Sequence, residues 1–179
     1  MVRKRAAIFL SELHIIILCG VLVGAFSYEF AKDALPCPLC LLQRFGMLAM
    51  ALCPTYNLLF GFNPTHFAFG IWTAIFSAGV SARQILLHIS LNFPTFGLPV
   101  FGYELYTWAF IVAVCSMLGS GLVLLLYHPC DEFHKVEKLT PIGIFAISLL
   151  LFLTLATMIT SFVECGLWFC PDNPVHDVY

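Results

Sequence analysis

Five apolar runs, each of about twenty residues, constrain this chain more than any other feature. They are Ala7–Tyr28, Leu41–Leu59, Phe67–His88, Leu105–Tyr127 and Pro141–Val163. At 1.5 Å rise per residue, a helix of that length covers about 30 Å, the thickness of a bilayer's hydrocarbon core. Lipid offers no partners to backbone N–H and C=O groups, so the runs should be helices. With 61% hydrophobic and only 10% charged residues in 179, a soluble domain would lack the interior to hide its apolar surface. The expectation is an all-α integral membrane protein: a four-helix bundle plus a fifth transmembrane helix, forming one polytopic domain over residues 1–179. The last run carries no charge, whereas Pro54 and Asn57 interrupt the far end of the second.

Basic residues orient the runs. Arg3, Lys4 and Arg5 precede the first run and should stay in the cytoplasm, which exports the Lys32–Cys40 loop. Counting onward, Gly61–His66 lies inside, Ile89–Glu104 outside and His128–Thr140 inside, with Lys135 and Lys138 on the expected side. Residues 164–179 are then outside. A basic start before an apolar run is also the mark of a cleavable signal peptide, but this run exceeds the usual apolar core of one. A formal charge of −2 says little by itself, and no nucleic-acid partner is expected.

Topology sorts the eight cysteines. Cys19, Cys53 and Cys115 lie within runs, where a thiol is usually a small apolar filler. Cys130 falls in an inner loop. The remaining four face out, in redox segments 32–40 and 164–179: Cys37 and Cys40, then Cys165 and Cys170. Disulfides persist on that side, either as structural clips or as working redox pairs. Cys37-Pro38-Leu39-Cys40 reads as the working kind, because such a pair closes a very small ring and the second helix begins beside it. The positive end of that helix favours a thiolate, the species that attacks disulfides and quinone rings. Half of a zinc site is the competing reading, but no second ligand pair with matching spacing lies nearby, so no metal is expected. Cys165 and Cys170 would point about 140° apart on one helix. Gly166 and Pro171 supply the break that lets them meet, as a clip on a frayed end or as a relay to a soluble partner.

Two arginines lie inside runs, at the same outer edge: Arg44 one turn into the second, Arg83 late in the third. An arginine costs about 2.5–3.5 kcal/mol at the bilayer centre and less near its surface, where it snorkels. Beside a Cys-x-x-Cys, with Gln43, Gln84 and His88 close in sequence, they also suit a carbonyl oxygen that becomes negative as it accepts electrons. A quinone offers such oxygens, and His88 is a candidate donor or proton source. The Ile89–Glu104 loop, broken by Pro94, Gly97, Pro99 and Gly102, is expected to lie on the bilayer and cover the site, with Tyr106 and Trp108 anchoring the fourth run.

Together these residues resemble the DsbB family of disulfide-generating membrane oxidases. The likeness rests on Cys37-Pro38-Leu39-Cys40 with Arg44, and on Ala82-Arg83-Gln84. It continues more loosely through Gly97-Leu98-Pro99 and Tyr106-Thr107-Trp108-Ala109-Phe110. The resemblance implies a protein of the bacterial inner membrane that reoxidises a periplasmic, thioredoxin-like DsbA-type dithiol oxidase and passes the electrons to ubiquinone or menaquinone. It further implies that Cys40 contacts the quinone, that Cys37 exchanges with a second cysteine pair, and that Arg44 holds the quinone oxygen, with Arg83, Gln84 and His88 as further binding candidates. The family's second pair usually lies between the third and fourth spans. Here that loop has no cysteine, and the fifth run would deliver Cys165 and Cys170 to the same face instead. Two other readings compete. An outward reductase would want a thiol pair facing the cytosol, which the isolated Cys19, Cys53 and Cys115 do not supply. A non-enzymatic assembly or transport protein would keep its outer disulfides permanently closed.

Overall fold

The computed structural model describes residues 2–32, 38–91, 100, 102–126 and 139–165. They form five helices: α1 (Val2–Lys32), α2 (Pro38–Phe60), α3 (Pro64–Leu91), α4 (Leu105–Leu126) and α5 (Pro141–Cys165). The fold is an all-α membrane protein, as expected. Four helices, α1, α2, α4 and α5, are long and apolar enough to cross a membrane. The equally long α3 carries His66, Arg83, Gln84 and His88, which lower its hydropathy. Cys37, Cys130, Cys170 and the greater parts of the segments between α3 and α4 and between α4 and α5 lie outside the described residues.

Helix boundaries follow local chemistry. Pro38, Pro64 and Pro141 each open a helix, where a missing N–H costs nothing and a fixed φ is already helical. Asn63 caps α3 by accepting from Thr65 N–H at 3.0 Å. Thr140 caps α5, its hydroxyl accepting from Gly143 N–H at 3.0 Å. Gly61, at φ 94, ends α2 by donating to the Asn57 carbonyl at 3.1 Å. Pro54 does not break α2, contrary to what its position suggests. The Thr55 hydroxyl donates at 2.7 Å to the carbonyl of Ala51, the residue after the one whose carbonyl Pro54 leaves without an N–H. Asn57 likewise ties α2 to α3, through His66 Nδ1 at 3.0 Å. α3 runs on to Leu91, so the first residues of the expected outer loop are helical.

α3 lies antiparallel along the whole of α2. A Cβ on Gly70 would sit 2.7 Å from the Cys53 Cβ, and one on Gly46 would sit 2.8 Å from Ser77 Oγ. Gln43 meets Gln84 at the far end. Small residues at these crossings let the backbones approach closely. α4 returns along α3, with Ser120 beside Gly70 and Tyr106 against His88. It touches α1 through a 3.0 Å hydrogen bond between His14 and Ser116.

α5 packs on α1 and α2. Near the start of this contact, the Thr140 hydroxyl donates to the buried Glu12 carboxylate, and a Cβ on Gly143 would come within 2.9 Å of Glu12 Oε1. From there the buried residues on both helices step by three and four. Glu12, Ile15, Cys19, Leu22 and Phe26 line one seam; Gly143, Ala146, Leu150, Leu153 and Thr157 line the other. This is the spacing of packed helix faces, and the contact of Glu12 with Gly143 shows where the two helices meet. Phe145, Leu151, Phe152, Leu155 and Ile159 face outward instead, as lipid contact demands. Cys19 and Cys53 are buried filler and Cys115 is exposed within α4, all inside helices as expected.

The register of the seam is open to crosslinking. In the Leu150→Cys variant, mild oxidation should link the new thiol to Cys19 across the seam, whereas Leu151→Cys, on the outward face, should not link. Adding Gly143→Val to the first variant should cut the yield of that crosslink several-fold by displacing Glu12. Gel mobility of a protein cleaved between α1 and α5 reads both.

Candidate functional site

Cys40 is the third residue of α2, within its first turn, where unpaired N–H groups favour negative charge. One turn further, Arg44 lies on the same face of the helix. It is buried, with 6% of its surface exposed. Its Nη2 donates to Glu29 Oε2 at 2.5 Å, and its guanidinium carbon stands 4.5 Å from the centroid of the Phe26 ring. Both partners come from the C-terminal end of α1. The ring offers its negative face to the cation and shields it from lipid. Nη1, also buried, has no hydrogen-bond partner among the described residues. A buried guanidinium with one side clamped and one donor unspent can still donate to an oxygen atom.

α3 supplies the neighbouring wall. Gln43 Nε2 donates to Gln84 Oε1 at 2.8 Å, and Gln84 Nε2 donates to Cys40 Sγ at 3.7 Å, a distance suited to sulfur. Gln43 and Gln84 are both buried, so this short chain fixes the side chain next to the cysteine. His88 Nδ1 donates to the Gln84 carbonyl at 2.8 Å, which sets its tautomer, and its ring stacks on Tyr106 of α4 at 4.7 Å. Trp108 Nε1 donates to the Val100 carbonyl at 2.9 Å and meets Tyr103 edge-on, holding the end of the segment between α3 and α4 against α4. The expected anchoring by Tyr106 and Trp108 thus takes a specific form: one braces His88, the other the loop.

The structure brings together Cys40, Arg44, Gln84 and His88 of the residues singled out from sequence. Arg83 is exposed; adjacent to Gln84, it points about 100° away around α3 and stays out of the cluster. Cys37 and Cys170 lie outside the described residues, and Cys165 is described only as the last residue of α5. Sequence reasoning missed Glu29 and Phe26. The signal for Glu29 was present: a carboxylate at the end of an apolar run needs a partner. The first run was drawn to Tyr28, one residue short of it.

Fold and site define a multi-pass α-helical membrane protein with a cysteine and a buried, half-engaged arginine at one end of its bundle. Residues 8–95, just under half of the chain, match the family model described as Disulfide bond formation protein DsbB. The matched segment takes in α1, α2 and α3; α4 and α5 lie beyond it. No curated protein and no solved structure matches the chain.

Breaking the buried pair one side at a time should be costly. Glu29→Leu or Arg44→Met alone leaves a buried charge without its partner and is expected to cost about 3–5 kcal/mol. The double variant, apolar on both sides, should recover most of the loss. Thermal unfolding in detergent measures all three.

Proposed function

We propose that the chain is a thiol:quinone oxidoreductase that reoxidises a periplasmic, DsbA-like dithiol protein. The observation that carries the reading is the unspent, buried Nη1 of Arg44, one helical turn from Cys40. A quinone, ubiquinone or menaquinone, is the two-electron, two-proton acceptor that suits this setting. Arg44 would hold its carbonyl oxygen, with Glu29 and Phe26 keeping the guanidinium in place. Gln84 steadies the Cys40 sulfur, and the first turn of α2 favours negative charge there. His88, braced by the Gln84 carbonyl and Tyr106, stands as the nearest ring able to carry a proton. Exposed Arg83 is assigned to head groups by snorkelling.

In this reading all five helices cross the bacterial inner membrane, the N-terminus is cytoplasmic and the tail after α5 periplasmic. The antiparallel contact along all of α2 supports a crossing by α3, since a helix packed beside a spanning helix traverses the same depth. The partner's thiolate would attack a Cys165–Cys170 disulfide; the reduced tail pair would then be reoxidised by Cys37–Cys40.

A quinone-reduction assay tests this. Purified protein supplied with a reduced dithiol partner should consume quinone absorbance. Cys40→Ser should abolish turnover, and Arg44→Met should lower the rate about 100-fold, in line with loss of one preorganised donor. Unchanged quinone with the intact protein would refute the reading.

A further inference from the structure

The chain contains two glutamines, Gln43 and Gln84, and the fold bonds them to each other. They stand on α2 and α3, and both are buried, with 5% and 1% of their surfaces exposed. Amide pairs of this kind often serve simply as polar glue between packed helices. This pair continues beyond itself. Gln43 Nε2 donates to Gln84 Oε1 at 2.8 Å, and Gln84 Nε2 donates onward to Cys40 Sγ at 3.7 Å. A glutamine side chain carries its acceptor at one end and its donors at the other. With its oxygen taken by Gln43, Gln84 presents its N–H end to the sulfur. The opposite orientation would set a carbonyl oxygen against Cys40, where a thiolate finds no donor.

We infer that Gln43 is a positioning residue for Cys40: it holds the Gln84 amide with its N–H end on the sulfur, which favours the thiolate over the thiol. The N–H offsets charge on the sulfur and has no comparable effect on S–H, and the proton released goes to solvent. The first turn of α2 favours the same charge, but a helix end acts on whatever stands before it, whereas the amide is aimed at one atom. The thiolate is the nucleophile in disulfide exchange, so its share of Cys40 sets how much of the protein is ready to react. The consequence for turnover rests on the reaction proposed above; the orientation of the amide rests on the α2–α3 contact alone.

Alkylation by iodoacetamide reads the thiolate share of Cys40 without any quinone, in a variant that keeps cysteine only at position 40. There, Gln84→Met should slow alkylation at neutral pH about tenfold, the effect of losing one hydrogen bond to a charged group. It should also displace the profile of rate against pH toward higher pH. Gln43→Met removes the orienting donor and should act in the same direction, slowing alkylation several-fold. In the Gln84→Met background, Gln43→Met should change the rate by less than about twofold, because it acts only through the amide it orients. The titratable groups of this cluster are Glu29 from α1, Arg44 from α2, His88 from α3 and Tyr106 from α4. α5 carries none through Val163, and every variant keeps all four. No slowing by Gln43→Met, or equal slowing with and without Gln84, overturns the inference.

A second measurement needs no substituted glutamine, so a variant that fails to fold does not leave the matter open. Because the chain has two glutamines, nitrogen-15 labelling of glutamine side-chain amides gives two NH2 groups, both in this chain of bonds. As pH is raised on the reduced protein, both should shift over the range in which Cys40 alkylation rises. Amide signals that ignore the ionisation of Cys40 overturn the inference. Neither that result nor unaltered alkylation in Gln43→Met touches the quinone reaction. Conversely, amides that follow Cys40 in a protein that leaves quinone unreduced support the orientation and remove the reaction.

Discussion

A buried guanidinium and a part-buried carboxylate, in contact at one end of an apolar bundle, set the terms for the rest of this molecule. Neither Arg44 nor Glu29 is tolerable alone at that depth, because the cost of desolvating a lone ion exceeds anything its packing returns. Together, and with Phe26 covering the cation, they are held in one geometry. The clamp uses only one side of the guanidinium. What remains is a buried donor with no partner among the described residues, one turn from a cysteine at a helix N-terminus. Electrostatics that would be dispersed in water is concentrated here by the dry surroundings.

The opposite end of the bundle has a different task. Glu12, Thr140 and Gly143 join α1 to α5 where the fifth helix begins, and the seam above them keeps the two helices in step. The segment that matches the DsbB family ends at residue 95, so α5 is an addition to the matched part of the chain. Its seam residues are small or aliphatic, Ala146, Leu150 and Leu153, and its outward face is large and apolar. A helix built this way docks on an existing bundle without disturbing the α2–α3–α4 contacts that hold the cysteine end.

Much of this was legible in the sequence, and the gaps have physical causes. Runs of about twenty apolar residues can only be helices in lipid, so the number and approximate bounds of the helices followed directly. Cys40, Arg44, Gln84 and His88 came out together because each stands at the same end of its run. Choosing between Arg83 and Gln84 needed the phase of α3, which the stripe Gly70, Ala74, Ser77, Ser81 and Gln84 records in small and polar residues. A charge-centred reading passed over that stripe. Glu29 was lost to a boundary drawn one residue early. The Glu12–Thr140 bond joins positions far apart in the chain, and no local pattern announces such a contact. Pro54, read as an interruption of the second run, sits inside α2, and the run drawn through it to Leu59 matches the helix.

The central claim is that α5 returns the chain to the end of the bundle that holds Arg44, with both cysteine pairs on the outer side of the membrane. Labelling intact cells with an impermeant thiol reagent tests it most directly, using two reduced variants that keep cysteine only at position 170 or only at position 130. The account expects Cys170 to be modified in intact cells and Cys130 only after lysis. Modification of Cys170 only after lysis would contradict it.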